Sequence, residues 1–187
     1  LAVFAAAALC VLVLGSAREV VDYQRIQRYV DGNAYYWSSV TPSLSWYPKK
    51  LRDMSRAVHD HGGLWVAPAA AAFDARLIGG HIVVPRNGGG TLRKEWAVAA
   101  GSNPDAIGLI SWNEFSENSY IEPSVKFGTS ELKTVASLTG HEPSVIDDPD
   151  SSAYTTRHGG SFSAGTALAV IGGVAVITIA ALAAVRR

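Results

Sequence analysis

The 187 residues predict an α/β chain with a C-terminal membrane helix, and three observations carry that expectation. Short apolar or aromatic runs alternate with segments of helical periodicity through residues 18–139. One of those runs, residues 106–112, is almost wholly apolar, as a strand of a parallel sheet covered on both faces should be. A block of twenty uncharged residues, 166–185, nearly closes the chain and has the length of a bilayer-spanning helix. Alternating strands and helices imply parallel strands joined by crossovers, an order that fits either a barrel or an open sheet.

Taken in order, residues 1–17 form a signal-like apolar segment. It holds the only cysteine, Cys10, and ends in Gly15-Ser16-Ala17, small residues where a signal peptidase reads. The alternative is a strand or helix of a longer protein. Residues 19–30 place Val20, Tyr23, Ile26 and Val30 at helical spacing. Residues 33–39 are short and aromatic, so they read as a strand. Residues 48–61 form a helix with Leu51, Met54, Ala57 and Val58 on one face, stopped by Gly62 and Gly63. Residues 64–67 read as a strand closed by Pro68. A long loop with Asp74, Arg76 and Arg86 leads to a helix over 91–100, with Thr91 as its cap. The strand at 106–112 and a helix over 130–138 follow. Residues 140–165 are rich in Ser, Asp, Pro, Gly and Thr and read as a flexible linker. The membrane helix, 166–185, has a buried core helix as its alternative. Arg186 and Arg187 then form a cytoplasmic tail, so the preceding chain faces outward from a single-pass anchor in the cell membrane.

Sixteen basic and sixteen acidic residues cancel, so no basic surface drives nucleic-acid binding, and none is expected. With Cys10 in the first block, the middle of the chain has neither a disulfide nor a cysteine metal site. His59 and His61 lack a third ligand at useful spacing, and Gly88-Gly89-Gly90 lacks the Lys-Ser/Thr of a phosphate loop. No metal and no cofactor is expected.

The sharpest feature begins where the apolar strand ends: Ser111-Trp112-Asn113-Glu114-Phe115-Ser116-Glu117-Asn118-Ser119-Tyr120-Ile121-Glu122-Pro123. The C-terminal edge of a parallel sheet is where α/β proteins build their sites. Glu114, Glu117 and Glu122 crowd together beside Trp112 and Tyr120. Crowded carboxylates near apolar rings push each other's proton affinities apart, so one can serve as an acid while another stays ionised. Glycosidic bonds are commonly cleaved by such a pair, and aromatic faces suit sugar rings. The bland alternative is a solvated acidic loop. Residues 31–37 offer a second cluster, in which Tyr36 and Trp37 are either core packing or a sugar platform.

This stretch resembles the Trp-Asn-acid-aromatic-x-Glu-x-x-x-Ile-x-Pro signature of family 71 glycoside hydrolases, the endo-1,3-alpha-glucanases. It is also similar to the family 99 endo-alpha-mannosidase signature, which spaces two glutamates alike. The resemblance spans roughly residues 30–132. It implies a (β/α)8 TIM barrel, represented here by its C-terminal half, that acts on an α-linked polysaccharide or oligosaccharide without a metal. By position, Glu114 takes the place of the first acid and Glu117 that of the general acid/base. Trp112, Asn113, Tyr120 and Glu122 would line the site. Asp31-Gly32 resembles an Asp-Gly at an earlier barrel strand, placing Asp31 near substrate. Glu at 114, where family 71 more often has Asp, leaves α-glucan and α-mannan both open. A full barrel takes about 250 residues, so the expectation is either a piece of an active hydrolase or an inactive glycan-binding relative.

Overall fold

The structure, a computed structural model, describes residues 11–141, all within one compact unit. Most of the expected linker, the expected membrane helix and the tail lie outside the described residues. Among the described residues, no helix is long and apolar enough to cross a membrane.

Strands and helices alternate as β1 (Leu14–Gly15), α1 (Val20–Ile26), β2 (Gly32–Ala34), α2 (Tyr47–Asp60), β3 (Leu64–Ala70), β4 (Phe73–Asp74), β5 (Val83–Val84), α3 (Gly90–Ala100), β6 (Ala106–Ile110) and α4 (Ser130–Thr139). Four strands make one sheet in the order β1-β2-β3-β6, and every adjacent pair is parallel. All four therefore end on one edge. The antiparallel ribbon β4-β5 sits in the long connection from β3 to α3. The architecture is mixed α/β and corresponds to a sector of a TIM-barrel-like fold.

Trp65 and Ala67 on β3 face the helices, where they pack with Tyr23, Tyr47, Leu51, Met54, Val58 and Ala99. Ala69, next on the same face, packs with Ala71, Leu92 and Ile121. Each large side chain so buried contributes about 1.5–3 kcal/mol relative to exposure. The Trp65 indole N–H, which burial would orphan, donates to Ser102 Oγ at 2.9 Å.

Several expectations need correction. Of the expected apolar segment 1–17, residues 1–10 lie outside the described residues, and Leu14–Gly15 form β1, the kind of element named as its alternative. Leu14 and Gly15 pair with Gly32 and Asn33, while the Asn33 amide clasps Ala17 by accepting from its N–H and donating to its carbonyl, at 2.8 and 3.0 Å. The aromatic run after Asn33 leaves the sheet at Ala34 and forms a loop. β3 continues through Pro68 to Ala70. Its pairing with β2 ends at Val66, so Pro68 has a strand neighbour on one side only, where a missing N–H is tolerated. β6 is not buried on both faces: Ala106 is exposed and Ile107 to Leu109 are half-buried, because β6 has one neighbouring strand among the described residues. Helix α3 begins one residue early, with Gly89 at φ 81° ahead of it, and Thr91 Oγ1 donates to the Pro85 carbonyl.

Candidate active site

The segment after β6 folds back on itself. Ser111 N–H donates to the Ser119 carbonyl at 3.2 Å, Ile121 N–H to the Ser111 carbonyl at 2.9 Å, and Glu122 N–H to the Trp112 carbonyl at 2.9 Å. Asn118, at φ 53°, occupies the left-handed region that Asn tolerates better than most residues and lets the turn close. The result is a loop at the C-terminal edge of the sheet with Glu114 and Glu117 in its turn.

The two carboxylates sit in unlike surroundings. Glu114 Oε2 accepts from the Tyr36 hydroxyl and, more weakly, from Ser119 Oγ at 3.5 Å, while its N–H donates to Ser111 Oγ at 3.0 Å. Burial and the negative charge of Glu114 push the Tyr36 phenol well above its ordinary value, so it remains a proton donor to the carboxylate. For Glu117, partial burial chiefly, and the nearby charge of Glu114 next, raise the carboxyl above the usual carboxylate range; the Ser38 hydroxyl opposes this. The Glu117 carbonyl accepts from Asp74 N–H at 2.7 Å, so the β4 segment holds the turn from the other side. Asp74 is itself clamped by the Arg76 guanidinium at 2.5 and 2.8 Å, which holds its carboxyl down at about 2.

Around the acids lie open aromatic faces. Tyr36 is 46%, Phe115 48% and Trp112 53% exposed. Exposed large rings beside paired carboxylates are the arrangement a glycan needs, flat apolar surface next to proton donors and acceptors.

Behind the loop lies a closed brace. Arg86, 7% exposed, donates to the carbonyls of Asn118 and Tyr120 at 2.9 and 2.7 Å. Its guanidinium lies 4.6 Å from the Tyr120 ring centre and 4.3 Å from that of Phe127. It pairs at 3.2 Å with Glu131 of α4, whose carboxyl burial raises and Arg86 pulls down.

The sequence-predicted site residues therefore separate into two groups. Glu114, Glu117, Trp112, Asn113, Glu122 and Tyr36 are brought to the same strand edge. Tyr120 is not a lining residue: it is 6% exposed, packed against Phe115 at 4.3 Å between ring centres, with its hydroxyl 3.3 Å from Ser124 Oγ. Trp37 is half-buried on the helical side, edge-on to Tyr47 and stacked on Trp46. Asp31 lies at the opposite edge, before β2, where its carboxylate accepts from Val13 N–H at 2.8 Å. Its neighbour Gly32 is there for strand approach, since a Cβ would lie 2.0 Å from the Leu64 carbonyl. The Asp-Gly pair is thus a structural feature of the β1-β2-β3 contact. Arg86, which the sequence places in the long loop, is the brace. Ser38, Ser111 and Ser119, which no sequence pattern marks, supply hydroxyls to the two acids' surroundings, and Phe115 adds an exposed ring. Among the described residues, no three His, Cys, Asp or Glu are placed to hold a metal.

Fold and site together define a β/α-barrel sector with a carboxylate pair at its strand ends. Among solved structures, the chain is similar to the GH99 endo-alpha-mannosidase from Bacteroides thetaiotaomicron, with a TM-score of 0.54 at 22% identity over 61% of this chain and 35% of that one. The same enzyme in complex with bis-tris-propane gives 0.53 at 22% identity, over 61% and 36%. The chain thus has a glycoside hydrolase-like fold and spans about a third of the length of the structures it matches. No family model and no curated protein match the sequence.

Proposed function

We propose that this chain carries the acid pair of a glycoside hydrolase that cleaves α-linked glycans. The observation behind the reading is the placement of Glu114 and Glu117 together at the sheet's C-terminal edge, in unlike environments and ringed by exposed Tyr36, Trp112 and Phe115. Glu117, which holds its proton to higher pH than an ordinary carboxyl, donates it to the departing glycosidic oxygen. Glu114, oriented by Tyr36 and Ser119, takes the proton of the oxygen nucleophile that attacks the anomeric carbon. Water supplies the new hydroxyl, so the balance is hydrolysis. The substrate is an α-glucan or an α-mannan; the solved neighbours, described as endo-alpha-mannosidase, favour the second, and the Trp112–Pro123 signature is compatible with either. The test is reducing-sugar release from both polymers by the wild-type chain and by Glu117→Gln. The reading requires that this variant lose turnover while still binding; undiminished release would refute it.

A second reading is a glycan-binding relative without turnover. It is favoured by the exposed Tyr36, Trp112 and Phe115 rings, on which a glycan can stack without any bond being cleaved. Oligosaccharide binding without any sugar release from the wild type would select it.

We further propose that residues 166–185 anchor the site outside the cell through a single membrane helix, followed by a cytoplasmic Arg186-Arg187. Support comes from the length and apolarity of that run. Extraction of the full chain from membranes by alkaline carbonate, or destruction of the 11–141 region only after the cells are lysed, would overturn it.

A further inference from the structure

A cleft of about 530 Å3 lies between the first residues of α1 and the first two turns of α2. Its size is within the roughly 300–1,000 Å3 of small-ligand clefts. Helices α1 and α2 follow β1 and β2, so these ends lie toward the same sheet edge as Glu114 and Glu117. One wall is the Trp46 indole, 46% exposed. Trp46 is fixed from behind: it stacks on Trp37 at 5.7 Å and 27°, meets Tyr47 edge-on at 6.0 Å, and immediately precedes a helix with Pro48 in its first turn. Val20 and Val21 of α1 line it as well, together with Met54 of α2. The indole therefore presents a preset flat face at small entropic cost to a ligand.

Four of the five charged residues around that face are paired with each other. Lys50 is ion-paired with Glu19, and Lys49 with Asp53 at 2.5 Å. Three cations, counting Arg18, face two carboxylates. Such a lining has little net charge to hold an anion, yet offers fixed hydrogen-bond donors and acceptors beside an aromatic plane. That combination suits a neutral polyhydroxylated ring, whose C–H face lies on the indole and whose hydroxyls replace water on the paired charges. The cleft and the acids are linked through the chain: Tyr36 donates to Glu114, Trp37 follows Tyr36, and Trp46 stacks on Trp37.

We propose that the α1-α2 cleft, with Trp46 as its platform, is a second carbohydrate-binding subsite that holds a distal part of the same α-linked glycan. The inference rests on the proposed glycan site for its choice of ligand, although the cleft itself contains none of that site's residues. Its consequence is chain-length selectivity: a long glycan spans both places and a short one reaches only the acids.

The test compares affinities of the full chain for α-linked disaccharide and hexasaccharide, in a gluco and a manno series, by calorimetry. The expected result is that the wild type binds the hexasaccharide of one series at least about tenfold more tightly than its disaccharide. Trp46→Ala abolishes that gain and leaves disaccharide affinity unchanged, and Trp46→Phe restores part of it. Because Trp46→Ala could loosen the aromatic cluster, Val21→Arg fills the cleft from its exposed place on α1 and should remove the same gain. Hexasaccharide affinity equal to the wild type's in both Trp46→Ala and Val21→Arg overturns the proposal, as does the absence of any length dependence. The two readings fail separately. If Trp46→Ala weakens hexasaccharide binding while Trp112→Ala and Glu117→Gln leave all binding and sugar release untouched, the subsite stands and the acid-pair reading falls.

Discussion

Two neighbouring regions of this chain place carboxylates out of full contact with water, and they handle the charge in opposite ways. In the brace, Glu131 is 4% exposed and faces the guanidinium of Arg86, so the pair is neutral and closed. In the loop that the brace supports, Glu114 and Glu117 face hydroxyls of Tyr36, Ser119 and Ser38, and each other. A carboxylate matched with a cation is held in one state and serves architecture. One matched with hydroxyls and a second carboxylate keeps its proton within reach of exchange, as the proposed acid pair requires. Glu95 gives a third case, fully buried in the helical layer with only the Tyr47 hydroxyl at 3.1 Å, and burial pushes its carboxyl up to about 8.

The contrast can be broken at several points. Largest is Glu117→Gln, which should lower sugar release by about 10²–10⁴-fold with little change in binding, read by steady-state kinetics and calorimetry. Next is Arg86→Ala, which leaves Glu131 buried without its cation and frees two loop carbonyls. Urea unfolding should show a loss of about 3–5 kcal/mol. Glu95 supplies a pH prediction. Its folded-state proton affinity is raised, so the folded chain binds more protons than the unfolded chain between the ordinary value of 4.5 and about 8. The stabilisation is full below that window and falls through it, by about 1.4 kcal/mol per pH unit at most. Unfolding midpoints of the wild type should therefore drop more steeply from pH 5 to pH 8 than those of Glu95→Gln, and parallel curves would contradict the assignment. Smallest is Tyr36→Phe, which removes one hydroxyl from Glu114. A loss of about 1.5–3 kcal/mol in transition-state stabilisation is expected from kcat/KM, along with a shift of the pH-rate profile that a purely structural role would not produce.

What was legible in the sequence was local. Residues 106–123 carry a strand, its end and the carboxylates within one stretch, so strand-end placement of Glu114 and Glu117 follows from adjacency. What was illegible depended on contacts distant in the chain. Tyr36 reaches Glu114 across 78 positions, and Arg86 reaches Tyr120 across 34. No pattern within residues 33–37 decides which aromatic turns toward the acids, so Trp37 was grouped with Tyr36 although it stacks with the helices. Tyr120 shows the same limit: its place in the chain beside the acids does not disclose that Phe115, Phe127 and Arg86 pack around its ring. β1 stands only as an alternative in the sequence because two strand residues inside a long apolar run have no period of their own. Only the partner strand and the Asn33 clasp reveal it.

The central claim is that Glu114 and Glu117 act as one asymmetric pair, and it is tested most directly by titrating the side-chain carboxyls with carbon-detected NMR in the full chain. The account predicts that Glu117 titrates above an ordinary glutamate and moves partway back when Glu114 is replaced by Gln, since one of its two raising causes is then gone. A Glu117 that titrates like a solvent-exposed glutamate, and does not move in Glu114→Gln, would contradict it.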